Sequence, residues 1–161
     1  MAEIVYELEG LEKLDKELKY LQTHAVKVGV LGKKESKETK YPIVKIQEYS
    51  VYVEYGTSRG IPARPFFRLS VGTANAQNEI KEFMKKQVEQ IIQGGITGQQ
   101  AYENLGIFVV KKIRSTIESG GFVALNPKTI KIRQKNNNHS TTPLMDTHSL
   151  YNSISYEIVG V

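Results

Sequence analysis

Apolar residues along this chain alternate between two rhythms, every second position and every third or fourth, and the switches mark out the expected elements. Ile4, Tyr6 and Leu8 alternate, which predicts a short strand. Leu11, Leu14, Leu18 and Leu21 recur at helical spacing and predict an amphipathic helix over about residues 11–22. Val26, Val28 and Val30 return to period two, a second strand. The run KKESKETK at 33–40 has no apolar anchor and is expected to be a mobile loop. Pro42 suits a first helical turn. Beyond it Ile43, Ile46, Gln47, Ser50 and Val53 share one helical face, while Tyr49, Val51, Val53 and Tyr55 would equally alternate as a strand. The helix, ending at Gly56, is the preferred reading.

Pro65 is expected to open a long helix with the stripe Ile80, Met84, Val88 and Ile91, stopped by Gly94 and Gly95. Thr97 is the expected N-cap of another, whose stripe of Ala101, Leu105, Phe108, Val109, Lys112, Ile113 and Ile117 runs to Gly120 and Gly121. Asn126 followed by Pro127 predicts a short capped helix through Arg133. Residues 136–142 are polar and read as a loose loop, and Ile154, Tyr156 and Ile158 form a closing strand. Strands towards the ends with helices between them predict an α+β fold. It would be a small antiparallel sheet packed with two long helices and shorter helices, in a single domain over 1–161 with mobile loops near 33–40 and 136–142.

At 161 residues the chain can bury roughly 70% of its unfolded surface and needs no staple. It has no cysteine, which excludes thiolate catalysis, thiolate zinc sites and disulfides and fits a reducing compartment. No apolar run approaches the roughly 20 residues that span a bilayer. The start, MAEIVYELEG, lacks a basic, apolar secretion signal, so a soluble, cytoplasmic protein without membrane contact is expected. The net charge of +5 fits either an acidic partner or a lysine-solubilised exterior. No series of aromatic and arginine residues accompanies it to read bases.

Two stretches carry the densest local chemistry, EYGTSRGIPARPFFR at 54–68 and PLMDTHSLYNSI at 143–154. In the first, Arg59, Arg64 and Arg68 surround Pro62, Pro65, Phe66 and Phe67. Either the arginine forks and phenylalanines meet a partner, or the prolines brace the loop, the phenylalanines enter the core and the arginines are solvated. In the second, Asp146, Thr147, His148 and Ser149 contain triad ingredients, but contiguous side chains do not converge into a relay. Asp146 or Thr147 is expected instead to cap a short helix beginning near His148. His24, His139 and His148 lack metal-ligand spacing, and the paired glycines lack a phosphate-loop pattern. No catalytic residue, metal site or cofactor is expected. An enzyme such as a nuclease using His139 or His148 would rest on those residue types alone.

In order along the chain, VKVGVLG at 26–32, the EYGT…IPARPFFR segment and the C-terminal LNPKTIKIRQ…PLMDTHSLYNSISYEIVG resemble the phage virion morphogenesis family, the tail-completion proteins that include the Mu G-like group. The resemblance implies a non-enzymatic structural protein of a tailed phage or prophage. Such a protein finishes the tail or neck and helps join tail to head, as a ring of identical subunits contacting other neck or tail proteins. It would reside in the virion after assembly in the host cytoplasm, and a basic inner face would touch passing DNA without reading it. The interface residues then expected are Arg59, Arg64, Phe66, Phe67, Arg68, Leu144, Asp146, His148, Leu150 and Tyr151. The family pattern carries glycine after the Asp-Thr pair where this chain has His148, which argues against a tight glycine turn there. A basic nucleic-acid-binding module without sequence specificity is the alternative.

Overall fold

A computed structural model describes residues 2–31, 43–58 and 60–161. Among them the order is α1 (Ala2–Thr23), β1 (His24–Val30), α2 (Ile43–Tyr55), a π-helical turn (Arg68–Gly72), α3 (Ala74–Ile92), α4 (Gly98–Ser119), α5 (Pro127–Lys135), α6 (Ser149–Ser153) and β2 (Ile154–Gly160). The expected loop at 33–40, Pro42 and Arg59 lie outside the described residues.

The architecture is α+β, as the periodicities predict: a small antiparallel sheet packed with helices. β1 pairs with β2 from His24↔Gly160 to Val30↔Ile154. The core gathers on the inner face of α4, where Ile113 and Ile117 are 0% exposed, together with Val53 of α2, Phe66, Leu150 and Ile154. Tyr156 lies flat against Gly106 of α4, so close that a Cβ there would sit 2.3 Å from the ring.

Two expected elements are corrected. Ile4, Tyr6 and Leu8 do not form a strand; they belong to α1, which runs unbroken into β1. Three alternating positions are a weak signal against a 22-residue stretch rich in Glu, Leu and Lys, strong helix formers, and a helix satisfies its own backbone whereas a strand needs a neighbour. Nor does Pro65 open one long helix. The turn after it passes into the π-helical segment and stops at Thr73, whose extended backbone and hydroxyl, accepting from Ala76 N–H at 3.2 Å, start α3 afresh. A threonine after glycine is a better helix start than helix interior.

The remaining caps fall as expected. Thr97 and Gln100 form a reciprocal capping box at the start of α4. Glu17 of α1 adds a carboxylate that accepts from Gly98 N–H at 2.7 Å. Gly120 ends α4 with φ +67°. Asn126 caps α5 by accepting from Lys128 N–H at 2.9 Å, and α2 ends at Gly56 rather than continuing as a strand.

Candidate interaction surface

The segment after α2 is held from below by one carboxylate. Glu54 accepts from Phe67 N–H at 2.9 Å, Arg68 N–H at 3.0 Å and Arg68 Nε at 3.0 Å, while its own carbonyl accepts from Arg68 Nη2 at 2.9 Å. Gly56, at φ +75°, makes the turn at a backbone distance that leaves no room for a side chain: a Cβ would lie 2.9 Å from Ala63 N. Arg64, 7% exposed, turns inward and donates from Nε to Val123 C=O at 3.0 Å and from Nη2 to Ala124 C=O at 3.4 Å. Burial lowers its pKa, with nearby Arg133 adding to the effect and Tyr49 opposing it. Neither expectation for Arg64, a solvated side chain or a partner contact, describes this position. Phe66 enters the core and Phe67 packs half-buried against it. Arg68 keeps its outer part open and places its guanidinium 4.8 Å from the centre of the Tyr55 ring.

The second segment uses the same device with the charges exchanged. Arg133 of α5, 6% exposed, donates to Ser140 C=O at 3.1 Å and Thr142 C=O at 3.0 Å, and its Nε stands 3.4 Å from Asp146 Oδ1. Asn138 also donates to the Asp146 side chain and carbonyl, at 2.7 and 2.6 Å. The stretch 136–142, expected to be loose, is thus tied to α5 and to Asp146. The expected cap is corrected as well: neither Asp146 nor Thr147 caps α6 through its side chain. Asp146 is drawn away to Arg133 and Asn138, and Thr147 Oγ1 lies 2.7 Å from Ser149 Oγ. His148 takes the capping position with φ +57°, so the left-handed turn is present despite the missing glycine.

Leu144 and Leu150 are buried, leaving Asp146 and His148 exposed and Tyr151 half-buried. The Tyr151 hydroxyl donates to Glu118 Oε1 at 2.6 Å, the main cause of its raised pKa, and Arg114 lies over its ring at 5.0 Å. Between α2 and α6 a cleft of about 340 Å³ is floored by Ile46, Leu144 and Leu150 and rimmed by Tyr49, Asp146 and Thr147. Burial raises the Tyr49 pKa, partly offset by Arg64 and Arg133.

Of the expected interface residues, Arg68, Asp146 and His148 stand at the surface, Phe67 and Tyr151 partly so, and Arg64, Phe66, Leu144 and Leu150 are internal supports. The stronger surface feature was missed: Tyr49, Val51, Tyr52 and Tyr55 (65% exposed) form an open aromatic band on α2. It was visible in principle, because committing Ile46 and Val53 to one helical face turns Val51, Tyr52 and Tyr55 outward and leaves Tyr49 at the margin of that face. Among the described residues no group of three or more His, Asp or Glu is placed to hold a metal ion. Comparison with protein-family models, with curated proteins and with solved structures finds no match to this chain.

Proposed function

We propose that this chain is a non-enzymatic structural protein of a tailed phage or prophage, one that completes the tail or neck and helps join tail to head as a homo-oligomeric ring. The observation that carries the proposal is the ordered resemblance of 26–32, 54–68 and 125–160 to the virion morphogenesis family. The physical character of those segments supports it. Glu54 and Arg64 brace the loop within 54–68, Arg133 braces the stretch from Ser140 to Asp146, and both lie beside the exposed tyrosines of α2. Stiff loops beside aromatic side chains suit protein contact, since little conformational freedom is lost on docking. Arg68, Asp146, His148 and the tyrosine band are the contact residues in this proposal.

Deleting the gene from its phage or induced prophage and imaging the lysate by electron microscopy tests it. DNA-filled heads separate from unattached or abnormal tails are expected; ordinary infectious particles overturn the proposal. The alternative, non-specific nucleic-acid binding, draws on the +5 charge. It is weakened because Lys112 pairs with Glu79 and Arg114 is engaged by the Ile154 carbonyl and the Tyr151 ring. DNA affinity that falls steeply with salt would favour it.

A further inference from the structure

A sheet of two strands has two outer edges, and the one along β2 is built for company. Val161 N–H donates to Thr23 C=O at 2.9 Å, and the register extends that pairing through Ala25–Val159, Lys27–Glu157 and Gly29–Ser155. Because antiparallel ladders alternate, the N–H and C=O groups of Ile154, Tyr156 and Ile158 point away from β1. Ile154 is already used: its carbonyl accepts from Arg114 Nη2 at 3.0 Å and its N–H donates to Tyr151 C=O. Tyr156 and Ile158 have no outward backbone partner among the described residues.

This edge borders an open groove of about 650 Å³ whose other wall is a stripe of α4 comprising Glu103, Ile107, Lys111 and Arg114. Ile107 is 43% exposed. The Arg114 bond to Ile154 and the Tyr156 contact with Gly106 show that β2 runs antiparallel to α4, with Tyr156 level with Ile107.

We infer that a second copy of this chain fills the groove. Its β2 pairs antiparallel with β2 of the first across a two-fold axis near Tyr156 and Ile107, giving a four-stranded sheet in which Tyr156 exchanges both backbone hydrogen bonds with its counterpart, while Ile158 lies opposite the already engaged Ile154. Charge and spacing both select this occupant. The stripe Glu103–Ile107–Lys111 is symmetric about Ile107 in position and opposite in charge at its ends. A reversed copy therefore sets Glu103 against Lys111 twice and Ile107 against itself; a uniformly charged partner satisfies one end only. The spacing follows from the layers. α4 packs beneath both strands, so adding β2 of another copy at about 4.8 Å sets the two α4 axes roughly two strand spacings apart, about 10 Å. That is within the usual packing distance of helices. An isologous contact closes at two copies. It is independent of the phage proposal, in which ring contacts would use another surface such as the α2 band.

Sedimentation equilibrium of the full chain is expected to give a dimer. The sequence has no cysteine, so Ile107→Cys introduces a single thiol that meets its counterpart at the axis and, with oxidised glutathione added as the oxidant, forms a covalent dimer. Lys128→Cys, exposed on α5, does not. Glu103→Lys and Lys111→Glu each weaken the dimer by about tenfold through like-charge opposition. The double variant recovers most of that loss, a rescue that needs residues 103 and 111 to face each other between copies. A monomer throughout the micromolar range overturns the inference. So does an oligomer in which Ile107→Cys crosslinks no faster than Lys128→Cys, or a double variant no tighter than the single ones. Particle morphology plays no part in these readings, so either proposal can fail without the other.

Discussion

α4 and the loop from Gly56 to Phe67 reach the same core, at Ile113 and Phe66, but are held there by opposite means. α4 satisfies its own backbone hydrogen bonds along its length, so its apolar stripe fixes most of it, with close contacts at Gly98 and Gly106 and the Glu17 carboxylate on its first amide. The loop has no such internal ladder. The Thr57, Gly60 and Phe66 amides close short turns within it, and charged side chains tie it to its surroundings: Glu54 accepts from Phe67 and Arg68, and Arg64 donates to Val123 and Ala124. A buried charge here therefore indicates loop support, and the surface that remains for contact is what those charges hold in place.

The comparison breaks most severely at Gly106. Gly106→Ala drives a methyl group into the Tyr156 ring and is expected to cost about 3 kcal/mol in urea unfolding. Pairing it with Tyr156→Ala should give less than the sum of the two single losses; strict additivity would mean that the contact is not what requires glycine. On the loop side, Glu54→Gln keeps the shape but weakens three bonds made by the carboxylate, for an expected loss of about 2 kcal/mol. An unchanged midpoint would show that the clamp is incidental.

Alkaline pH sharpens the contrast further. Tyr49, Tyr102 and Tyr151 all have pKa values raised above the ordinary 10.0: Tyr49 by burial, Tyr102 by burial and then Tyr20, Tyr151 by its bond to Glu118 first. The folded state holds these protons more tightly than the unfolded state. Their contribution is therefore complete below about pH 10 and is lost as pH rises through the folded values. Tm should fall as pH rises above about 10, less steeply in Tyr102→Phe, whose lost hydroxyl donates to Leu21 C=O at 2.7 Å. A variant with an unchanged slope would remove Tyr102 from this account. The smallest effect is a gain: His148→Gly relieves the left-handed turn before α6 and should add roughly 0.5 kcal/mol, after the greater freedom of glycine in the unfolded chain is offset. A loss there would mean that the edge-on contact of His148 with Tyr151 outweighs the backbone strain.

Most elements were legible because their signals are local. Thr97, Asn126 and Gly120 announce helix ends through the backbone groups they satisfy or the dihedral they allow, and the stripe of α4 states which face turns inward. The candidate site was less legible. Arg64 and Arg68 lie four residues apart with the same side chain, yet one is buried against carbonyls and the other stays half open over Tyr55.

By itself, then, the sequence determined the α+β class, strands through Val26–Val30 and Ile154–Ile158, and the start and stop of α4, because periodicity and capping act within a few residues. Only the tertiary structure decided that residues 2–10 are helical, that Thr73 divides the expected long helix, and that Arg64 and Arg133 point inward. Those outcomes depend on which carbonyls and apolar faces arrive from distant parts of the chain. Val123 meets Arg64 across 59 positions, and no local pattern encodes that meeting.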